Sequence, residues 1–332
     1  MSLIEVESLV KTYTTWQRGS GFGEIAKSVF KRELHEVHAL NGISFDIGEG
    51  SLVGFLGPNG AGKSTTLKIL TGVLHPTSGR ATALGYCPWR ERKRYVANIG
   101  AVFGQKSQLI WDIPPLDSFM MNQAIYAIED GAFRSRLDSL SGMLGVRELM
   151  RQPTRNLSLG ERMKCEFIMA MLHEPRIVFL DEPTIGLDLI AKESIRDFIL
   201  EMNAQGVTFI LTTHDLADVE LLARRVIVIN SGELVFDDGL ERLRSYFGNR
   251  KRIRLLCRAA IADLGLEGLA ETSRASDRDI SYELDLGRTS LDRFIARANE
   301  RTLIQDMSIE EIPIEGVIKE LYRAAATLPR SP

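Results

Sequence analysis

Nine consecutive residues, Gly57-Pro58-Asn59-Gly60-Ala61-Gly62-Lys63-Ser64-Thr65, restrict what this 332-residue chain can fold into more than any other stretch. They fit G-x-x-x-x-G-K-[ST], follow the apolar run Leu52 to Leu56 and precede the helical-looking Thr66 to Leu74. Strand, glycine-rich loop and helix in that order form the context the pattern requires. Glycines let the backbone turn its N–H groups onto phosphate oxygens, and the helix N-terminus adds partial positive charge. Lys63 then reaches the terminal phosphates and Ser64 can ligate Mg²⁺. The stretch is read as a nucleotide triphosphate site, and the core around it as α/β.

The length points to two units. Apolar residues make up 44% and charged residues 26%, an ordinary globular balance able to bury a sizeable core. With a net charge of −3, the chain gives no electrostatic reason to expect a nucleic-acid partner. Cys87, Cys165 and Cys257 stand far apart without metal-ligand spacing, so they are expected to be reduced thiols. The start lacks the basic head and apolar middle of a signal peptide. No run approaches the roughly 18 to 20 apolar residues of a spanning helix, so the chain is expected not to cross a membrane by itself.

Taken in order, Leu3 to Tyr13 and Val37 to Ile47 read as strands. Between them, at about 14–36, Phe22, Ile25, Ala26, Val29 and Phe30 follow helical spacing, with Lys27, Lys31 and Arg32 adding basic charge. Packing on its own domain and lying on a membrane surface both fit that pattern. Ile99 to Gln105 is a further strand ending in glutamine. Helical periodicity dominates about 106–170, which suggests an inserted helical subdomain. Arg176 to Leu180 is a continuous apolar strand ending in Asp181-Glu182, and Val207 to Thr213 repeats the arrangement before His214. Carboxylates, glutamine and histidine at strand ends join the phosphate loop where open parallel sheets place ligands. After a basic junction, 250–332 reads as a small α+β domain of split βαβ type: strand Ile253 to Cys257, helix Ala259 to Leu269, a strand with Ile280, Tyr282 and Leu284, a helix capped by Ser290, and strand Leu303 to Ile309.

Lys63, Gln105, Asp181-Glu182 and His214, in that order, together with Leu157-Ser158-Leu159-Gly160-Glu161-Arg162, resemble the ATP-binding subunits of ABC transporters from Met1 to roughly Leu243, within an expected ATPase domain of 1–245. The resemblance implies a P-loop nucleotide-binding domain with a helical subdomain; the split βαβ pattern of 250–332 is that of a small ferredoxin-like domain. The resemblance also implies that ATP is held by Gly57 through Thr65, with Tyr13 stacking on adenine and Lys63 on the terminal phosphates. Mg²⁺ would fall to Ser64, Asp181 and Gln105, an ion that keeps several waters and needs one or two carboxylates. Glu182 resembles the general base for the attacking water and His214 the γ-phosphate switch. Ser158 and Gly160 resemble the signature residues that meet the nucleotide held by a second copy, and Gly186-Leu187-Asp188 resembles the loop crossing that interface. Leu159 and Glu161 depart from the usual glycine and glutamine.

Phe103 to Leu109, Trp111-Asp112 and Asp181 to Asp188 are most similar to the type-2 exporter branch, near drug and viologen exporter ATPases. The implied partners are an integral-membrane permease and a head-to-tail second copy, at the cytoplasmic face of the cell membrane. The implied work is export of an unidentified drug-like, lipid or polysaccharide cargo. A soluble ABC ATPase acting on nucleic acid or the ribosome is the alternative, and the chain lacks the tandem nucleotide domains or coiled-coil insertion of that class. The C-terminal domain fits either a regulatory, dimer-supporting module or a cap on the sheet.

Overall fold

The computed structural model describes residues 2–16, 34–104, 106–213, 215–245, 250–261, 263–311, 316, 318, 321 and 322. The chain divides into two units, Met1–Asp238 and Gly239–Pro332. The first opens with the antiparallel pair β1 (Ser2–Trp16) and β2 (Leu34–Gly48), followed by β3 (Leu52–Leu56), α1 (Lys63–Leu70), β4 (Ser78–Ala83), α2 (Arg92–Val96) and β5 (Ile99–Phe103). Three helices come next, α3 (Pro115–Tyr126), α4 (Asp130–Met143) and α5 (Leu159–Met171). The unit closes with β6 (Ile177–Asp181), α6 (Leu189–Ala204), β7 (Thr208–Thr212), α7 (Leu216–Leu222), β8 (Arg225–Asn230) and β9 (Glu233–Gly239).

Two sheets carry this unit, a three-stranded one in the order β2-β1-β4 and a six-stranded one in the order β5-β6-β7-β3-β8-β9. From β5 through β8 the neighbours are parallel. All of β3 and β7 and the first four residues of β6 are buried, which is why their sequences are unbroken apolar runs. Register then decides what stands at the C-terminal edge. Phe103 pairs with Asp181, and Asp181 with Thr212, so the acidic strand end, the start of the Gln105 loop and the residues before His214 come out side by side.

β1 and β2 are longer than their apolar patterns suggest, because pairing continues through Thr14↔Glu36 and Trp16↔Leu34 after alternation fades. The amphipathic helix expected around Phe22 to Phe30 lies outside the described residues. Where a helical subdomain is expected at about 106–170, the described helices are Pro115–Tyr126, Asp130–Met143 and Leu159–Met171.

The second unit contains α8 (Leu240–Ser245), β10 (Arg250–Cys257), β11 (Leu269–Ser276), β12 (Asp279–Asp285), α9 (Leu291–Arg301) and β13 (Ile304–Glu311). Its antiparallel sheet runs β11-β12-β10-β13. Ile253, Leu255, Ile280, Tyr282 and Leu284 bury one face under Phe294 and Ala298 of α9. Ser290 caps α9 by accepting from Arg293 N at 3.3 Å. The helix expected over Ala259 to Leu269 does not form among the described residues. Gly265 there takes a φ of 59° and its N–H meets Asp263 Oδ1 at 3.0 Å, a turn that no helix accommodates, while Leu269 already belongs to a strand.

Candidate functional site

The phosphate loop is shaped by close backbone approach. At Gly62, the N-cap of α1, φ is 112°, and an added Cβ would lie 2.7 Å from both the Ala39 carbonyl oxygen and Leu40 Cδ2. At Gly57 a Cβ would lie 2.3 Å from the carbonyl oxygen of Ile229. Between them Ala61 N donates to Pro58 O at 3.1 Å, and Gly232 N donates to Ala61 O at 2.9 Å. Pro58, Asn59 and Gly60 thus sit on a turn pinned at both ends, and Thr65 follows in the first turn of α1.

Lys63 is only 7% exposed, and its ammonium donates to the carbonyl oxygens of Gly57 at 2.5 Å and Pro58 at 3.1 Å. Burial pulls it below the usual lysine value, while the carboxylates of Glu182 and Asp181 act in the opposite direction. Ser64 Oγ donates to Asp181 Oδ1 at 3.3 Å, and Thr212 Oγ1 donates to the same oxygen at 2.5 Å. Ser64, Phe103, Gly104, Lys106, Asp181 and Glu182 line one cleft of about 370 Å³.

Glu182 takes a φ of 54°, a left-handed conformation costing a non-glycine residue about 1–3 kcal/mol. Its backbone is held there from two sides. Glu182 N donates to Thr212 O at 2.9 Å, and the carbonyl oxygen packs so close to Gly104 that a Cβ there would lie 2.1 Å away. Gly104 N in turn donates to Asp181 O at 2.8 Å. Gln105 and His214 lie outside the described residues. Their flanks are placed: Lys106 N donates to Phe103 O at 3.0 Å, and Asp215 N donates to Thr213 Oγ1 at 2.9 Å.

A hydroxyl beside a carboxylate, with a buried ammonium opposite, is a donor set suited to a triphosphate with a hard divalent cation. Among the described residues no group of three or more His, Cys, Asp or Glu side chains could hold a metal.

The other sequence-marked residues stand elsewhere. Ser158 is the N-cap of α5 in a capping box: Glu161 N donates to Ser158 Oγ at 3.3 Å, and Glu161 Oε2 accepts from Ser158 N and Ser158 Oγ, each at 2.8 Å. Gly160 presses on α6, where an added Cβ would lie 2.7 Å from Ala191 Cβ. The unusual Leu159 has Cδ2 3.3 Å from where a Gly186 Cβ would be, so it covers the loop leading to Asp188. Asp188 caps α6 by accepting from Ala191 N at 2.8 Å. Tyr13 lies on β1 opposite Val37, with Lys11 Nζ 5.0 Å from its ring centroid. None of these five residues lines the cleft at Ser64 and Asp181.

Three groups lie outside the sequence-marked residues. Thr212, which bonds Asp181, could have been found by aligning the ends of the two parallel strands. Gly104 carries no motif of its own. The third group is a buried knot in which Asp218, with no exposed surface, accepts from Thr184 Oγ1 and from Arg196 Nε at 2.7 Å. Beside it Lys192 Nζ donates to Asp215 Oδ2 at 2.6 Å, which holds the Asp215 carboxyl below its usual range.

An ABC transporter family model matches residues 40–185. The chain is 30% identical over 214 residues to the ABC transporter ATP-binding protein NatA of Bacillus subtilis, covering 64% of this chain and 87% of that protein. It is 32% identical over 238 residues to a fluoroquinolones export ATP-binding protein of Mycobacterium tuberculosis, covering 70% and 77%. Among solved structures, the dimeric post-hydrolysis ATP-binding cassette MJ0796 with ADP and Pi superposes with a TM-score of 0.58 at 24% identity, over 71% of this chain and 98% of that one, which shows the shared fold. On the matched core and on relatives covered over most of their length, the chain belongs to the ABC transporter family as one of its ATP-binding subunits, an ATPase that takes ATP with Mg²⁺.

Proposed function

We propose that this chain is the motor of an exporter: two copies close head to tail on two ATP molecules, and hydrolysis reopens them against a separate membrane permease. The convergence of Lys63, Ser64 and Asp181 carries the reading, because it sets a buried cation within electrostatic reach of the hydroxyl and carboxylate pair that lines the cleft. Export is supported by the relative named for fluoroquinolone efflux. No described helix is long and apolar enough to cross a membrane. Met120, Met121 and Ile125 of α3 leave apolar surface exposed on the helical segment, a face suited to that partner. The placement that follows is peripheral, on the cytoplasmic side. The cargo is a drug-like molecule, a lipid or a polysaccharide.

Each residue has a task in this scheme. Lys63 leaves the Gly57 and Pro58 carbonyls to meet the terminal phosphates, while the loop from Gly57 to Thr65 offers its N–H groups. Ser64 and Asp181 would hold Mg²⁺, with Gln105 as a further contact, and the ion would supply neutralisation of phosphate charge. Glu182 accepts the proton of the attacking water, its carboxylate aimed by the constrained backbone. His214 contacts the γ-phosphate and Tyr13 stacks on adenine. Ser158 and Gly160 present the N-terminus of α5 to the nucleotide of the other copy, and Asp188 lies at the interface. The contacts of Ser158 and Gly160 with the γ-phosphate of the other copy are made only in the closed state, so ATP favours closure and ADP does not. The second unit's strand order is compatible with a ferredoxin-like accessory domain.

The Glu182→Gln substitution separates these tasks. The variant should bind Mg-ATP, hydrolyse it about 10²- to 10⁴-fold more slowly, and elute as a nucleotide-loaded dimer in size-exclusion chromatography. A variant that stays monomeric at saturating Mg-ATP, or turns over at the wild-type rate, sinks the proposal.

A further inference from the structure

We propose that Glu166 is a positioning residue for ATP hydrolysis, a buried anion that fixes the loop following Gln105 to the helix capped by Ser158. The inference rests on the motor reading and adds to it a residue outside every motif. Glu166 lies two turns into α5 and is only 3% exposed. A buried acid must be satisfied by donors, and here all of them come from one loop. Ser107 Oγ donates to Oε1 at 2.5 Å, Gln108 N donates to Oε1 and Oε2 at 3.0 and 3.1 Å, and Leu109 N donates to Oε1 at 3.4 Å. Burial pushes the carboxyl up while these three donors and Arg162 pull it back.

The same loop is also tied to the sheet. Gln108 Nε2 donates to Ala101 O of β5 at 2.6 Å, and at the end of that strand Gly104 N donates to Asp181 O. Gln108 therefore joins two bodies, its side chain to the strand that ends beside the phosphate cleft and its backbone to the helix bearing Ser158. Without Glu166, three donors would face an apolar gap and the helix could shift relative to the sheet. Movement of the Gln105 loop would then no longer be passed to α5. The predicted consequence is loss of turnover with nucleotide binding kept, since Lys63 and the loop from Gly57 to Thr65 touch neither Glu166 nor its donors.

The test uses the full-length chain with Mg-ATP, comparing wild type, Glu166→Gln, Ser107→Ala and the double variant. Readouts are kcat, KM, affinity for a fluorescent ATP analogue and melting temperature. Glu166→Gln keeps the shape of the side chain but puts an amide N–H₂ against donors. It should lower kcat about ten-fold or more while KM and analogue affinity stay within about two-fold. Ser107→Ala should lower kcat less, and the double variant should be no worse than Glu166→Gln, because both changes break the same contact. The proposal is overturned if both single variants turn over as wild type does. It is equally overturned if the losses multiply, or if kcat, affinity and melting temperature fall together as in a merely unfolded variant. A wild-type chain that neither binds nor splits Mg-ATP would remove the motor reading and this inference with it.

Discussion

The two ends of the nucleotide machinery are built on opposite plans. At Lys63 and Asp181 the charged groups are interlocked within one chain: Lys63 is buried, and one carboxylate oxygen takes hydrogen bonds from both Ser64 and Thr212. At Ser158 the helix end is exposed and satisfied only locally, by Glu161 three residues on. An end that closes on itself can hold a ligand alone. One that merely presents a hydroxyl and a helix N-terminus needs something brought to it. Substitutions at the first should therefore be felt by a single chain, and at the second only when copies pair.

The largest effect should come from Lys63→Ala. It removes a charged donor to the terminal phosphates, and hydrogen bonds to charged groups are worth roughly 1.5–3 kcal/mol each, so two lost contacts weaken ATP binding about 100-fold or more. Titration of a fluorescent ATP analogue measures this directly, and hydrolysis should vanish with it. Because the ammonium is buried against loop carbonyls, its removal should leave the melting temperature nearly unchanged or raise it. If the variant binds and turns over ATP normally, the enclosed end is not the nucleotide site.

The interlocked end was legible in the sequence because its chemistry is compressed into short spacings. Lys63 and Ser64 are neighbours of a glycine turn, and Asp181 ends an unbroken apolar run. Parallel register, which carries Phe103, Asp181 and Thr212 to one edge, follows once those strands are recognised. What escaped is held by partners distant in sequence. Glu166 looks like one more charge on a helix until Ser107, 59 positions away, is seen against it. Asp218 resembles a surface acid until Arg196 and Thr184 enclose it. The helix expected over Ala259 to Leu269 does not form for a local reason, the turn at Asp263 and Gly265, which apolar spacing does not reveal. The departure at Leu159 is legible only in three dimensions, where it covers Gly186, whereas Glu161 stands at the sequence spacing of the capping box that it completes with Ser158.

A smaller effect, and one that sharpens the contrast, is expected for Ser158→Ala. Loss of the N-cap should cost about 1 kcal/mol of stability. The affinity of one chain for an ATP analogue should stay within about two-fold, because Ser158 does not line the cleft at Asp181. In the Glu182→Gln background, however, ATP-dependent pairing should weaken, seen as a shift from dimer to monomer in size-exclusion chromatography. Lost analogue binding in the monomer would mean that the exposed end serves its own chain's nucleotide, and the contrast would fail.

The smallest effect concerns what steadies the exposed end from behind. Just past the C-terminus of α5, His173 stacks on Tyr126 with ring centroids 3.9 Å apart, and its Nε2 lies 2.8 Å from the carbonyl oxygen of Ile99 on β5. That carbonyl can only accept, so Nε2 carries the proton of the neutral ring. Nδ1 is buried with no partner among the described residues, and protonating it would strand an N–H. Burial accordingly holds His173 below the ordinary value of 6.5, the Ile99 contact opposes that, and Arg136 adds to it. A base with a depressed folded value contributes stability that is complete above the unfolded value and is lost as the pH falls below it toward the folded one. Melting temperature should therefore fall as the pH is lowered from about 7 to about 5, with a contribution from this residue of at most about 1.4 kcal/mol per pH unit. His173→Gln keeps a donor for Ile99 but does not titrate, so its melting temperature should depend less on pH across that window. Equal slopes for wild type and variant would show that the rear of α5 is not held by a neutral imidazole, leaving Glu166 and the packing of Gly160 on Ala191 to anchor the helix.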